Sequence, residues 1–218
     1  MSISCYIGVS EFVMADMARI YRLKRRADSQ DQTRLRIVEA TVELHTTLGP
    51  AHTTMAAIAE RAGVQRPTLY RHFSNMSELF SACSSHNWLQ NPPPDPEPWL
   101  KIKDSEVRLR QGLMELYTYY SDHESGLWKI LRDLEDMPEL RPFAARRISH
   151  LQRVREVLGS VWPDRGLQQR FLIAALAHAI DFFAWRSLRR QGLTNEGAID
   201  LMVDLVQTLV RELGQKVT

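Results

Sequence analysis

The sequence predicts an all-α protein made of a three-helix helix-turn-helix domain followed by a larger helical domain. Apolar residues recur at helical spacing along most of the chain, and no alternating stretch is long enough to form a sheet. Thr54 to Leu79 reads as two short helices separated at Gly63 and followed by a third. The proline-rich segment 91–98 then interrupts the helical pattern. These observations predict domains at 31–90 and 99–218, joined by a linker at 91–98.

The composition is that of a soluble globular protein, with 28 Lys and Arg against 26 Asp and Glu residues in 218. This balance says little about partners, although residues 1–90 hold 10 basic and 8 acidic side chains. Cys5 and Cys83 provide neither a disulfide framework nor a zinc-binding spacing, which favours a reducing, cytoplasmic location. No basic region opens the chain, and the most apolar run contains His178 and Asp181, so we expect neither a signal peptide nor a membrane span.

Residues 1–30 show no sustained periodicity, and we interpret them as a flexible basic arm. The basic side chains crowd together at Arg19, Arg22, Lys24, Arg25 and Arg26. Two roles stay open: the arm follows DNA phosphates or enters a minor groove, or it is a solvated tail. Met14 and Met17 also leave open a natural start downstream of residue 1.

Gln32–Leu48 has the apolar spacing of an amphipathic helix, which we expect to end at Gly49, ahead of a proline. Thr54 is the predicted N-cap of the second helix. Gly63 then supplies the turn that follows it. The third helix is short, and Pro67 fits only in its first turn, where a missing N–H costs nothing.

A fourth helix is predicted from Asn75 towards Trp88. Asn75 has the N-cap position and Glu78 the N3 position of a reciprocal capping pair. Amide groups at such a helix start favour an anion, for example a phosphate. Between Glu60 and Glu78 no acidic residue occurs, so an exposed face of the third helix would be locally positive.

Several short motifs occur together between Thr33 and Phe80. They are Ile37-Val38-x-Ala40, Gly49, Thr54, Ile58-Ala59-x-x-Ala62-Gly63-Val64, Thr68-Leu69-Tyr70-x-His72-Phe73 and Leu79. With this combined spacing the segment resembles the DNA-binding domain of the TetR family of bacterial transcriptional repressors. The resemblance covers all three helices and the start of the fourth.

The resemblance implies which residues bind a double-stranded DNA operator. They are Thr54, Arg66, Pro67, Thr68, Tyr70, Arg71 and His72. The third helix would be the recognition helix, and its first residues, Arg66, Pro67 and Thr68, would lie next to the bases. Tyr70 and His72 would contact phosphates, and Thr54 would contact the neighbouring DNA backbone. Independently, the fork of the Arg66 guanidinium suits guanine O6 and N7, whereas Arg71 could equally serve a phosphate.

Three positions depart from the family pattern. His45 stands where an aromatic core residue such as Phe is usual, and Gln65 stands where a capping Ser or Thr is common. Met76 stands where the family typically has a phosphate-contacting Lys. The last departure removes one charge contact at the start of the fourth helix, for which the basic arm would compensate.

The segment Asn91–Pro98, NPPPDPEP, lacks most backbone donors and predicts a stiff, extended linker; the alternative is a proline-rich ligand for another protein. Beyond it the pattern predicts a series of helices. They lie at Ser105–His123, Gly126–Asp136, Pro142–Val161, Phe171–Leu188 and, after Gly192, through Ile199 to Val210.

Phe171–Leu188 is apolar nearly all round, so a single subunit would not cover it. Together with the amphipathic helix after Gly192, it would build a four-helix interface with a second copy across a two-fold axis. TetR-family repressors dimerise through two C-terminal helices in this way. The resemblance therefore also implies a homodimer.

Aromatic and polar residues of the C-terminal domain are candidates for a ligand site. The candidates are Tyr117, Tyr120, Trp128, His178, Phe182 and Trp185. They would line a cavity for an apolar or aromatic inducer, or form plain core. His178 and Asp181, three residues apart, would be either a hydrogen-bonded buried pair at a dimer seam or part of the ligand site.

The sequence contains no phosphate-cradling glycine loop, nucleophile elbow or His-Glu-x-x-His pair, and its seven histidines lack metal-ligand spacing. We therefore expect no enzyme activity, no cofactor and no metal. The resemblance implies a sequence-specific transcriptional regulator, a repressor released from a palindromic operator by a small-molecule ligand. Two alternatives stay open: an all-α small-molecule binding protein or enzyme whose helix-turn-helix is only structural, and an architectural DNA binder without a ligand.

Overall fold

A computed structural model describes the chain over residues 5–163, 166 and 169–215. Within these residues the chain is helical and contains no strand, which confirms the all-α prediction. The helices are α1 (Cys5–Thr47), α2 (Met55–Arg61), α3 (Arg66–His72), α4 (Met76–Gln90), α5 (Ser105–Asp133), α6 (Arg141–Gly159), α7 (Gln169–Ala179), α8 (Phe182–Arg190) and α9 (Asn195–Gln215). Short 3-10 helices lie at Pro50–His52, Glu97–Lys101 and Pro138–Leu140.

The first helix is much longer than the sequence predicted. It begins at Cys5 rather than near Gln32, so the part of the expected arm from residue 5 onwards is helical. Residues 1–4 of that arm lie outside the described residues. No proline occurs before residue 50, and no glycine lies between Gly8 and Gly49, so nothing in this stretch stops a helix rich in Ala, Arg and Leu. Residues 19–32 are exposed.

The N-terminal helices pack around a small apolar core. Its buried members are Ile37, Val38, Ala40, Ile58, Ala59, Ala62, Leu69, Phe73, Leu79, Phe80 and Leu140. Because Leu140 follows α5 in the chain, the C-terminal half closes this core. The predicted stop of α1 is confirmed, since Gly49 has a φ of 98°, a left-handed conformation that favours glycine.

The two predicted helices Ser105–His123 and Gly126–Asp136 are one helix, α5, of 29 residues. Gly126 was expected to open a new helix but lies inside α5. A Cβ at this position would lie 3.0 Å from Thr46 Cγ2 on α1, so the glycine permits a close helix crossing. Packing between helices, which local sequence does not reveal, therefore accounts for the error.

The predicted helix Phe171–Leu188 is instead two helices, α7 and α8, bent by 59°. Asp181 causes the break, because its carboxylate accepts hydrogen bonds from the amides of Phe183 and Ala184 at 2.8 and 2.9 Å and so caps α8. Two carbonyls left unpaired by the break are satisfied from α5. The hydroxyl of Tyr117 donates to Ala179 O, and that of Tyr120 donates to Ile180 O.

The linker is extended only in part. Residues 92–95 have no regular structure, but Glu97 and Pro98 belong to a 3-10 helix that places Trp99 in the C-terminal core. Buried Arg108 of α5 fixes this region, since its guanidinium donates to Ile102 O, Val157 O and Ser160 Oγ at 2.7 to 3.1 Å. The segment is thus attached to α5 and α6 as well as connecting α4 to them.

Candidate DNA-binding surface and ligand cavity

The helix-turn-helix is built by α2 and α3. Thr54 caps α2, as predicted, by accepting a hydrogen bond from the Ala57 amide at 3.2 Å. Gly63 makes the turn with a φ of 65°. From α3 the apolar side chains of Leu69 and Phe73, both with no exposed surface, enter the N-terminal core. The remaining faces of this seven-residue helix point away from that core.

The structure places the predicted DNA-binding residues of α3 together on this outer side. Arg66, Pro67 and Arg71 are exposed, and Tyr70 has 52% of its surface exposed. Thr68 and His72 are half-buried. Thr54 is exposed at the start of α2, where its hydroxyl can still donate a hydrogen bond. No acidic residue occurs within α3 or its flanking turns, so the surface is positive.

Two arginines that do not belong to this surface hold it in place. Arg61 of α2 forms an ion pair with Glu43 of α1 through a hydrogen bond of 2.9 Å from Nε. The Arg34 guanidinium of α1 lies 4.1 Å from the centre of the Phe73 ring. Burial and the charges of Arg71 and Arg34 lower the pKa of His72, which favours its neutral form.

The start of α4 is already occupied by side chains. Asn75 caps the helix through the Glu78 amide at 2.9 Å, as predicted. The Glu78 carboxylate, however, accepts from the amide and hydroxyl of Ser74 rather than from Asn75. Those hydrogen bonds lower the pKa of Glu78, which keeps a negative charge at the helix start. Met76 is half-buried against the N-terminal core, so this departure from the family pattern serves packing.

A cavity of about 350 Å³ lies between the two domains. Its walls come from four helices, α1, α4, α5 and α6, and they combine aromatic rings with polar groups. Its lining residues include Trp88, Tyr119, Asp122, Phe143, Arg147 and His150. Since α1 and α4 also build the helix-turn-helix domain, a molecule in this cavity would contact both domains.

None of the six predicted ligand-binding residues lines this cavity. Four of them, Tyr117, Tyr120, Phe182 and Trp185, are buried together with ring centres 5.5 to 6.4 Å apart, and they form the plain core that was the alternative. Trp128 is half-buried with the Arg186 guanidinium 4.1 Å from its ring. His178 is exposed and forms no hydrogen bond with the Asp181 carboxylate, which caps α8.

The residues that do line the cavity were not singled out from the sequence. Phe143, Arg147 and His150 repeat at helical spacing and so share one face of α6. Trp88 projects from α4, which the sequence predicted only in outline. The sequence does show that this face of α6 mixes polar and aromatic residues. Whether such a face lines a cavity or packs in the core depends on the helices that lie against it. Only the folded chain brings residues 42 to 150 together around one space.

Polar contacts connect the domains beside the cavity. The buried Asp133 carboxylate accepts from the Ala51 amide at 3.0 Å, and the Lys129 ammonium donates to Thr46 O at 2.9 Å. Burial would raise the pKa of Asp133, but hydrogen bonds from Arg132 and Ala51 outweigh it and lower the value. From α6, Arg146 donates to Ser85 Oγ on α4.

The described part of the chain offers neither a metal site nor a single membrane-spanning helix. No group of three or more His, Cys, Asp and Glu side chains there is arranged to hold a metal ion. Among the helices described, none is by itself long and apolar enough to cross a membrane, while α7 and α8 meet those criteria of length and composition only as a bent pair.

Solved structures with this fold cover most of the chain. NalD from Pseudomonas aeruginosa, named the secondary repressor of the MexAB-OprM multidrug efflux pump, is 23% identical with a TM-score of 0.56, over 83% of this chain and 96% of NalD. The multidrug binding protein EbrR is 18% identical with a TM-score of 0.55, over 82% and 89%. At these identities the likeness shows the fold alone.

Sequence similarity to curated proteins covers a short part of the chain. The transcriptional regulators TtgR and ArpR of Pseudomonas putida are each 42% identical over 60 residues, 28% of this chain and 29% of each relative. The chain thus matches less than a third of the length of these relatives. The family model of bacterial regulatory proteins of the tetR family matches residues 37–83, which include the whole surface described above. This segment is thus similar to the DNA-binding segment of the tetR family of bacterial regulatory proteins.

Proposed function

We propose that this protein is a dimeric, sequence-specific DNA-binding repressor that a small molecule releases from its operator. The exposed, acid-free face of α3 carries the proposal, because it presents Arg66 and Arg71 on a family-typical helix-turn-helix. The names of two similar structures support ligand control, since one is called a secondary repressor and the other a multidrug binding protein.

The position of the cavity supports control by a ligand. A molecule between α4 on one side and α5 and α6 on the other would change how the helix-turn-helix domain sits on the C-terminal domain. In a dimer, this would change the separation of the two recognition helices, which must match half-sites about 34 to 36 Å apart. Release then requires that the ligand bind the DNA-free conformation more tightly than the DNA-bound one.

Exposed apolar residues on α7 and α9 support the dimer. Phe171, Leu201 and Leu205 have 49%, 39% and 54% of their surface exposed. Leu201 and Leu205 are four residues apart and share one face of α9. Such a face on two contacting helices favours a four-helix interface with a second copy.

Selection of bound DNA from a random pool, followed by gel-shift titration, tests this function. We expect a roughly palindromic site whose affinity falls steeply with salt, because phosphate contacts release counterions. Arg66→Ala should weaken binding about 10-fold or more and relax preference at one base pair in each half-site, since a bidentate contact is lost. Arg141→Ala, an exposed arginine at the start of α6, is the matched control and should bind as the wild type does.

Two results would contradict the proposal. Full affinity and unchanged sequence preference in Arg66→Ala would remove the base-reading role of this residue. Absence of any salt-sensitive association with DNA would favour the alternative of a small-molecule binding protein whose helix-turn-helix is only structural. Arg71→Ala separates phosphate contacts from base contacts, because it should weaken binding to all sequences alike and reduce the salt slope.

A further inference from the structure

The cavity contains an arginine that no carboxylate neutralises. Arg147 is half-buried, and among the described residues none of the ion pairs includes it. Its guanidinium carbon lies 5.8 Å from the centre of the Tyr120 ring, and a side-chain hydrogen bond to Tyr120 uses part of its five-donor fork. The neighbouring Arg146, in contrast, donates to Ser84 O and Ser85 Oγ. Arg147 therefore retains hydrogen-bond donors for an anionic group.

His150, one turn further along α6, presents a polar atom without a hydrogen-bond partner. His150 Nε2 is buried and forms no hydrogen bond. Burial, followed by the charge of Arg147, lowers the pKa of His150, so the ring is neutral at pH 7. In the tautomer that carries its proton on Nε2, the ring donates to an acceptor. Arg147 and His150 are three residues apart on α6, so one oxygen-rich group could reach both.

The other walls favour a flat, apolar body. Trp88 stands edge-on to the His150 ring with ring centres 5.6 Å apart, and Tyr119 and Phe143 add further aromatic surface. Aromatic side chains prefer such edge-to-face and offset contacts with another ring. A volume of about 350 Å³ is at the small end for ligand sites, which run from about 300 to 1,000 Å³, so the ligand is compact.

The acidic residues near the cavity do not reverse its charge preference. Asp122 lines the cavity but is exposed, as is Asp95 near His150. Water screens exposed charges far more than half-buried ones. The positive charge of Arg147 therefore acts more strongly inside the cavity than either carboxylate does.

We propose that the cavity binds a compact aromatic carboxylate, with its ring among Trp88, Tyr119 and Phe143 and its carboxylate on Arg147 and His150. This inference rests on the proposed function in one respect, that the cavity is the site at which a ligand controls DNA binding. The carboxylate would form charge-assisted hydrogen bonds with the guanidinium. A neutral carboxamide would accept through a single oxygen and without charge assistance, and an ammonium group would leave those donors unpaired.

Calorimetric titration of the full chain, without DNA, tests the ligand class with three matched probes. They are naphthalene-2-carboxylate, its neutral carboxamide and 2-naphthylmethylammonium. We expect the carboxylate to bind at least 10-fold more tightly than the other two, and fluorescence of the tryptophans to change because Trp88 contacts the ring.

Arg147→Gln should remove the preference for the carboxylate while the carboxamide binds as before. Arg147→Lys, which keeps the charge, should retain part of it, and Arg141→Gln should bind as the wild type does.

Equal or tighter binding of the carboxamide or the ammonium by the wild type would overturn the inference, as would an unchanged preference in Arg147→Gln. If Arg147→Gln does not fold, as judged by circular dichroism, binding of the three probes to the wild type and to Arg147→Lys still tests the preference for a carboxylate. Because these titrations contain no DNA, their failure leaves the proposed DNA-binding function standing. Conversely, carboxylate binding without any DNA binding would contradict the proposed function and leave the ligand class intact.

Discussion

His45 shows how one substitution changes the chemistry of the N-terminal core. Its ring lies edge-on to Phe80 with ring centres 4.2 Å apart, and its Nδ1 is 3.7 Å from Cys83 Sγ. Burial raises the pKa of Cys83 to about 12, so the thiol stays protonated and can donate to Nδ1. The ring proton is then on Nε2, which is buried without a partner. An imidazole thus takes the place of the usual aromatic ring, but with one polar atom unsatisfied.

His45 makes the stability of the protein depend on pH. Burial lowers its pKa from 6.5 to about 4, against the opposing charge of Asp133. Between these values the unfolded chain binds more protons than the folded one. The share of the free energy of unfolding that depends on a neutral His45 ring is therefore fully present above pH 6.5 and is lost as the pH falls towards 4. The shift corresponds to at most about 3 kcal/mol in the free energy of unfolding.

We predict that His45→Phe stabilises the protein and flattens this pH dependence. Removing a buried donor without an acceptor should raise the free energy of unfolding by about 1 kcal/mol at pH 7. The gain should increase as the pH falls from 6.5 to 4, since Phe does not titrate. Urea unfolding at several pH values measures both effects. His86→Gln, a half-buried histidine on α4, is the control, and an equal pH dependence in wild type and His45→Phe would contradict the account.

Helix ends were predictable where a local signal determines them. Thr54, Asn75 and Gly49 lie at the expected boundaries because capping and positive φ depend on neighbouring residues alone. The prediction failed where packing between distant helices decides. Gly126 lies inside α5, where it leaves room for Thr46 of α1. The break between α7 and α8 is stabilised by two tyrosines of α5. The exposed face of α3 is local in sequence and could be predicted, whereas the cavity needs residues from four helices and could not.

The break between α7 and α8 also explains why predicted ligand residues are core residues. Tyr117 and Tyr120 have their hydroxyls on Ala179 O and Ile180 O, at 2.8 and 2.6 Å. Burial raises the pKa of both hydroxyls, which therefore remain protonated donors. In a sequence, aromatic residues at helical spacing look the same whether they line a cavity or pack in the core. For these tyrosines, the hydrogen-bond partners seen in the structure show that they belong to the core.

We predict that Asp181→Ala destabilises the protein by about 1 kcal/mol, because α8 loses the acceptor for its first amides. Asp181→Asn keeps a capping oxygen and should lose less. Urea unfolding monitored by circular dichroism measures the change. Asp122→Ala, at an exposed position inside α5, removes a carboxylate that caps nothing and should have little effect. Equal unfolding free energies for Asp181→Ala and wild type would show that the cap does not hold the bend.

The two domains are joined where a ligand would act. The Asp133 carboxylate holds the turn after α1, and a Cβ at Gly49 would lie 2.9 Å from Arg132 Nη2. The end of α5 is therefore packed closely against the end of α1. Movement of α5 or α6 around an occupied cavity would be transmitted to α1 and α4 through these contacts rather than absorbed in a loose linker.

The proposed function requires a second copy of the chain, and we predict that it packs against the exposed apolar face of α9. Leu205→Glu places a charge on the exposed apolar face of α9 without entering the core, so it should yield a folded monomer. The monomer should bind the full palindromic site at least 100-fold more weakly, because the two half-sites would no longer be bound as one unit. Sedimentation equilibrium and gel shifts measure the two effects.

Ile148→Glu on α6, at a site that is 65% exposed, introduces the same charge away from this face and should remain dimeric. A dimeric Leu205→Glu, or a wild type that is itself monomeric at micromolar concentration, would place the interface elsewhere or remove it, and the coupling between recognition helices would then need a different route.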